Sequence, residues 1–276
     1  MLASLRQERI LAAVRLHGAV RVADLVDELD VSDMTIRRDI TELARAGLVR
    51  RVHGGAVGPD TGSRPAHEPG FEAKRSWATA EKQAIARLAL TLVEPGQAIA
   101  LSAGTTTHLL AHLVAADAAL RPLTVVTNSL AAAEALHAAV TPAGLDVILT
   151  GGVRTPSDAL VGPVADASLA QLRVDTAFLG VHGLDGDGLT TPNLLEAATD
   201  RALLAGAAHV VVLADHTKWG VVGLARIAPL DEVDTLVSDT QLTAEARRAL
   251  DPLVGRVLLA PPDDPTPEPP LDPGAP

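Results

Sequence analysis

The sequence predicts an α/β domain with a largely parallel sheet, preceded by a small winged helix-turn-helix domain. Three observations predict it. Helical patterns and a Gly-Gly turn fill residues 1–57, a Pro- and Gly-rich stretch without apolar periodicity follows, and beyond it short apolar runs alternate with helical segments. The length of 276 residues exceeds the usual single-domain range of roughly 100–200. At 47% hydrophobic, each of two domains has enough apolar sequence for a core.

Leu5, Ile10, Val14 and Leu16 recur at near-helical spacing and stop at Gly18, which gives a first helix over residues 4–17. Ala23, Leu25, Val26 and Leu29 give a second, short helix an apolar face. "DVS" then makes a tight connection to Ser32, whose hydroxyl suits the N-cap of a third helix. In that helix Ile36, Ile40 and Leu43 point inward, leaving Asp33, Met34, Thr35, Arg37 and Arg38 on the N-terminal half that meets base edges in such motifs. "LVRRVHGGAV" reads as strand, turn and strand, a wing that presents Arg50, Arg51 and His53 to phosphates. The candidate DNA contacts are therefore Ser32, Asp33, Met34, Thr35, Arg37, Arg38, Arg50, Arg51 and His53. A pair of adjacent arginines is, taken alone, more often a solvated helix face.

Charge is divided along the chain. The formal net charge is −11, yet residues 1–57 hold nine arginines against eight carboxylates, so that part is near +1 and the remainder near −12. Five of the arginines fall between Val31 and Ala56, as a DNA-facing surface requires. Asp39 lies among them and would be repelled by phosphate. It is read as a partner that orients an arginine, with an ordinary surface acid as the alternative.

Residues 58–73, including "GPDTGSRPAHEPG", read as a linker, residues 74–260 as the α/β domain, and the proline-rich acidic residues 261–276 as a disordered tail. "TAEKQAIARLALTLV" reads as an amphipathic helix, and "AIAL", "LTVVT", "DVILT", "DTAFLG", "HVVVLA" and "DTLVS" as strands. Ligands in such sheets bind beyond the C-terminal ends of strands. The loops found there are rich in glycine, hydroxyls and amides. In "SAGTTT" a glycine lets backbone approach a ligand, and the helix starting near Thr106 offers N–H groups and a positive dipole end to an anion. Lys218 stands out because the chain has only three lysines beside twenty arginines. The candidate ligand residues are Ser102, Gly104, Thr105, Thr106, Thr107, Asn128, Ser129, Gly151, Gly152, Asp185, Glu196 and Lys218. Each loop by itself is equally consistent with a turn and a helix cap.

Composition excludes several function classes. No cysteine is present, which removes disulfides and thiolate chemistry, and no apolar run of ~18 residues or leader-like segment suggests export, so a cytoplasmic, non-membrane protein is expected. With 1% aromatic residues and no tyrosine, stacking platforms for single-stranded nucleic acid are lacking. The nine histidines are read as showing no HxH, HExxH or related metal-ligand spacing, so neither a metal nor a cofactor is expected.

Arg6, Ile10, Val14, Ser32, Thr35, Ile36, Arg37, Arg38, Asp39 and Ile40 together resemble the helix-turn-helix of the DeoR family, and "RRVHGGA" resembles the segment that ends that domain. "LSAGTTT", "TVVTNS", "LTGG", "LVGP", "VDTAFLG", "GLTTPNLLEA" and "LADHTKWG" follow in the order of the DeoR-family sensor domain, extending the likeness over most of residues 74–240. The resemblance implies a bacterial transcriptional regulator. It further implies a sensor domain related to ribose-5-phosphate isomerase that binds a phosphorylated sugar or polyol. Many members carry aspartate where this chain has Ser102, which removes a sugar-hydroxyl contact while leaving the phosphate loop intact.

The isomerase likeness raises catalysis as an alternative. The two aspartates of the related isomerases align with Leu179 and His182, and a leucine is no base, so binding without turnover is expected. The reading is a repressor of a carbohydrate-metabolism operon, bound to a double-stranded DNA operator as a homo-oligomer, dimer or tetramer, and released by the effector. An effector-dependent activator and a ligand-free interaction scaffold are the alternatives.

Overall fold

The computed structural model describes residues 3–17, 19–29, 31–45, 48–52, 54–57, 71, 79–141 and 144–261. The chain divides into two compact units, Met1–Arg64 and Pro65–Pro276. The expected linker over 58–73, apart from Phe71, and the expected tail beyond Pro261 lie outside the described residues.

The N-terminal unit runs α1 (Ala3–His17), β1 (Ala19–Arg21), α2 (Val22–Leu29), α3 (Asp33–Arg45), β2 (Arg50–Val52) and β3 (Gly55–Val57). Ile10 and Val14 from α1, Val22, Leu25 and Leu29 from α2, and Ile36, Ile40 and Leu43 from α3 make its core. Two apolar residues depart from the expected faces. Leu5 is 46% exposed, and Ala23 is exposed while its neighbour Val22 turns inward. The reason for the second is register: α2 begins at Val22, one residue before the expected apolar face, and Val22, Leu25, Val26 and Leu29 then follow a 3-4-7 spacing. At the start of α3 the Ser32 hydroxyl accepts from Thr35 N–H at 3.3 Å, a side-chain cap at the expected position.

The strands form one antiparallel sheet in the order β1-β3-β2. Sequence reasoning found the β2–β3 hairpin and missed β1. Gly55 is required at the crossing, because a Cβ there would stand 2.1 Å from the Val20 carbonyl oxygen.

The C-terminal unit begins with α4 (Thr79–Leu90), β4 (Ala98–Leu101), α5 (Thr105–Ala116), β5 (Leu123–Thr127), α6 (Leu130–His137) and β6 (Leu145–Leu149). A small hairpin follows, β7 (Val153–Arg154) and β8 (Leu160–Val161), then α7 (Pro163–Leu169) and β9 (Val174–Gly180). Next come β10 (Gly183–Asp185), β11 (Gly188–Thr191), α8 (Leu194–Ala205), β12 (Ala207–Leu213) and β13 (Ala225–Ala228), and last β14 (Thr235–Asp239), α9 (Ala244–Leu250) and β15 (Val257–Ala260).

Among the described residues, seven strands form one parallel sheet in the order β15-β14-β12-β9-β4-β5-β6. The chain builds outward from β4 through β5 to β6. It then returns to β4's other side at β9 and builds outward again through β12, β14 and β15. β4 and β9 therefore flank the point where strand order reverses, the place where open α/β sheets hold ligands. Successive side chains point to opposite faces: Phe178, Val211 and Leu213 join α4, α5 and α6 on one side, while Ala177, Leu179, Val210 and Val212 join α8 and the β10-β11-β13 sheet on the other. Both faces are covered, which is why the strands read as continuous apolar runs.

Phe71 belongs to this unit and not to a free linker. It is buried, and its N–H donates to the Pro156 carbonyl at 3.1 Å. The C-terminal unit thus starts at least three residues before the expected boundary at 74.

Candidate functional site

On α3, Ile36, Asp39, Ile40 and Leu43 are buried, which turns Asp33, Met34, Arg37, Arg38, Glu42 and Arg45 to solvent. Met34 is 80% exposed. Arg37 donates to Asp33 one turn back, with the second bond at 3.1 Å, and Arg38 to Glu42 one turn on, at 3.3 Å. Such exposed pairs contribute little against water, so both guanidinium groups can exchange a carboxylate for a phosphate or a base edge. Asp39 is different. It lies buried on the inner face of the same helix, at its middle, and takes the Arg6 guanidinium from α1 in two bonds, one of 3.1 Å from Nη2. That pair locks α1 to α3, so the acid among the arginines is a structural partner and faces away from the exposed surface. On the wing Arg51 is exposed, while for Arg50 only the strand is described, and His53 lies outside the described residues.

In the C-terminal unit a cavity lies beyond the C-terminal ends of β4 and β9, at Ala103, Gly104, Gly180 and Val181. Its wall includes Gly104, Thr105 and Thr106 at the start of α5, Glu196 of α8 and Lys218, all expected from the sequence. No side chain caps the N-terminus of α5. Its first N–H groups and the positive end of its dipole are thus available to an anion in the cavity. Lys218 follows β12 on a short turn that Asp215 organises by accepting from Thr217 N–H at 3.1 Å.

Glu196 is buried and accepts from the hydroxyls of Thr155, at 2.7 Å, of Thr191, at 3.3 Å, and of Ser157. It holds the loop between β7 and β8 against α8, so its oxygens are occupied with structure as well as facing the cavity.

Seven expected residues do not line the cavity, and each has an identifiable structural task. The Ser102 hydroxyl accepts from Gly180 N–H at 2.9 Å and so fastens β4 to β9. Thr107 is fully buried and donates to the Gly104 carbonyl at 3.0 Å. Asn128 accepts from Ala103 N–H at 3.0 Å and donates to the Leu160 carbonyl at 3.3 Å, while Ser129 caps α6 through Ala132 N–H at 3.1 Å. Gly151 and Gly152, at φ +73° and +122°, turn the chain into β7. Asp185 accepts from Asp187 N–H at 2.9 Å in the β10–β11 turn. Small residues after a strand serve the backbone and a ligand equally well, and each of these seven has a backbone task here.

Other cavity residues were not among the expected ligand residues. Lys82 is 3% exposed, and it stands in the wall with Asp200, Asp215 and His182. A lysine on an amphipathic helix is read as solvated by default, and only the fold turns Lys82 inward. Its signal was the rarity of lysine, already used for Lys218.

Beside the cavity, His216 Nδ1 lies 3.0 Å from Asp239 Oδ1, and His216 N–H donates to Asp239 Oδ2 at 2.8 Å. The hydrogen bond to Asp239 raises the His216 pKa above its ordinary value. Burial pulls Asp239 upward, but bonds from the His216 ring and backbone and from Gln241 hold it below its ordinary value. The Gln241 side chain donates to Glu81 at 2.7 Å, next to Lys82. A chain of contacts thus joins the turn carrying Lys218 to the helix carrying Lys82.

Residues 6–61 match the DeoR-like helix-turn-helix domain, and residues 77–240 match the DeoR C terminal sensor domain. The chain belongs to the DeoR family of transcriptional regulators. As a member, it is a DNA-binding regulator whose two matched domains coincide with the two candidate sites. The uncharacterized HTH-type transcriptional regulator YgbI of Escherichia coli (strain K12) is 37% identical over 89% of this chain and 93% of its own. The glycerol-3-phosphate regulon repressor of the same strain is 32% identical, over 85% and 90%. The lactose phosphotransferase system repressor of Staphylococcus aureus (strain N315) is 34% identical, over 85% and 91%. Ribose 5-phosphate isomerase A from Methanocaldococcus jannaschii is 19% identical at a TM-score of 0.37, covering 50% of this DeoR-family chain and 53% of its own. That likeness is too remote to bear on activity.

Proposed function

We propose that this DeoR-family regulator is a repressor of a carbohydrate-metabolism operon, released from its DNA operator by a phosphorylated sugar or polyol. The observation that carries the reading is the uncapped N-terminus of α5, which opens into a cavity that also contains Lys82 and Lys218. Backbone N–H groups, a helix dipole and two ammonium groups suit a phosphate, while Asp200, Asp215 and the cavity hydroxyls suit the hydroxyls of the carbon chain. The relatives named for glycerol-3-phosphate and phosphotransferase regulons support the same ligand class. On α3, Asp33, Met34, Thr35, Arg37 and Arg38 are assigned to base edges beside the cap Ser32, and Arg50, Arg51 and His53 to phosphates. A helix of this kind reads a short half-site, so the protein acts as a homo-oligomer in the cytoplasm. Among the described residues no helix is long and apolar enough to cross a membrane.

The ligand binds without turnover. Leu179 is fully buried in the core, and a leucine carries no base. Release works only through unequal affinity of the effector for DNA-competent and DNA-incompetent states.

The test is a thermal-shift screen of the full chain against matched free and phosphorylated sugars and polyols, with Lys218→Ala as control. A ligand at ~100 times its dissociation constant adds about 2.7 kcal/mol. One phosphorylated compound should stabilise the wild type, its free counterpart should not, and the variant should lose the response. The same compound should then dissociate the protein from its upstream DNA. A panel without any shift sinks the phosphate reading, and interconversion of ribose and ribulose phosphates sinks binding without turnover.

A further inference from the structure

Helix α5 carries two histidines, His108 and His112, that the reading above does not use. The i, i+4 spacing of "HLLAH" is itself a metal-ligand spacing, which corrects the expectation drawn from the sequence. Four residues place both rings on one helix face. Their Nε2 atoms are 3.2 Å apart, and the rings meet edge-on with centroids 4.5 Å apart and planes at 80°.

His108 is held before any ligand arrives. The Ala131 carbonyl on α6 lies 3.1 Å from its Nδ1, and a carbonyl only accepts, so Nδ1 carries the proton. In the neutral ring, Nε2 then holds a lone pair on the side facing His112. The Phe71 ring lies edge-on to His108 at 5.4 Å and 84°. A histidine whose far nitrogen donates to a backbone carbonyl is the arrangement that metal-bound histidines adopt, because it fixes tautomer and ring orientation. His112 is exposed, which leaves the pair open to exchange with solvent.

We propose that His108 and His112 form a two-histidine site for a divalent transition metal ion of the zinc, nickel or copper class, the metal taking the place of the proton that His112 Nε2 shares with His108 Nε2 while His112 keeps one on Nδ1. At a metal–nitrogen distance of about 2.05 Å, the observed separation corresponds to an angle of about 100° at the metal, close to tetrahedral. Imidazole nitrogen suits these ions, whereas magnesium and calcium take oxygen donors. Among the described residues no group of three or more His, Cys, Asp or Glu is placed to hold a metal ion, so the protein supplies two donors and water the rest. The site is therefore exchangeable. It clamps the turn of α5 that follows Thr105 and Thr106, and so stiffens the helix whose start forms the cavity wall.

Calorimetric titration of the untagged, chelator-treated full chain with zinc and then nickel tests this, with magnesium as the oxygen-seeking control. One saturable equivalent is expected in the wild type and in His209→Ala, an exposed histidine on another element. His112→Ala and His108→Ala should each bind at least about tenfold more weakly. Because His112 is exposed, its variant keeps the fold, checked by circular dichroism. No saturable uptake, uptake unchanged in both variants, or equal uptake of magnesium would overturn the site and leave a hydrogen-bonded histidine pair.

Discussion

Arg37 and Arg38 stand in water on α3, each answered only by a carboxylate one turn away, whereas Lys82 and Glu196 are buried in the wall of a cavity. The first region keeps its charges loosely paired and replaceable. The second fixes its polar groups in place through the fold, as Glu196 shows with three hydroxyl donors. The difference suits the two kinds of ligand proposed for them. A polyanion is met by exposed charge at long range, while a small molecule needs polar groups already oriented in an enclosed site.

Salt should separate the two regions most strongly. With six to ten phosphate contacts, DNA affinity should fall by roughly 10³–10⁵ between 50 and 200 mM salt, measured on the gene's own upstream DNA. Effector affinity, followed by thermal shift over the same range, should change far less. Equal salt dependence at both sites would erase the comparison.

Arg37→Ala and Arg38→Ala come next. Each should weaken operator binding by about tenfold to a hundredfold and relax base preference, while Arg51→Ala should weaken binding on all sequences alike. None of the three should alter the effector shift.

A smaller effect is expected in the cavity wall. Glu196→Ala removes the acceptor shared by Thr155, Ser157 and Thr191, and should lower stability by about 1–3 kcal/mol in denaturant unfolding. Unchanged stability would mean that these hydroxyls find water instead and that Glu196 is free to serve the ligand alone.

The smallest expected effect is that of pH on the His216–Asp239 pair. The folded-state pKa of His216 is raised, so its contribution is fully present below the ordinary value of 6.5 and is lost as pH rises through the raised value. The stability gap between wild type and His216→Gln should therefore be widest on the acid side and narrow as pH rises from 6.5, seen in melting temperatures. A gap that stays constant with pH would remove the ion pair from the account.

Much of this was legible in the sequence. β4 and β5 coincide with "AIAL" and "LTVVT" because both are buried on two faces and bounded by turn residues. β1, β10 and β11 escaped, being three or four residues long with Gly, Thr or Arg among them, and β15 escaped because "VLLA" follows a Gly-Arg pair close to the proline-rich end. The helix-turn-helix was read from periodicity, yet the partner of Asp39 was not. Arg6 lies 33 positions away, and only packing of α1 on α3 brings it there. The cavity was half legible: Gly104, Thr105, Thr106, Glu196 and Lys218 were found, while Ser102 and Asn128 turned out to hold the loops together. Both roles call for short hydrogen-bonding side chains after a strand, so residue type alone does not separate them.

Phe71, the first described residue of the C-terminal unit, has one more consequence. It is tied to Pro156 through its backbone, and its side chain is part of the cavity wall. A molecule held in the pocket would therefore meet the chain at the earliest position described in this unit.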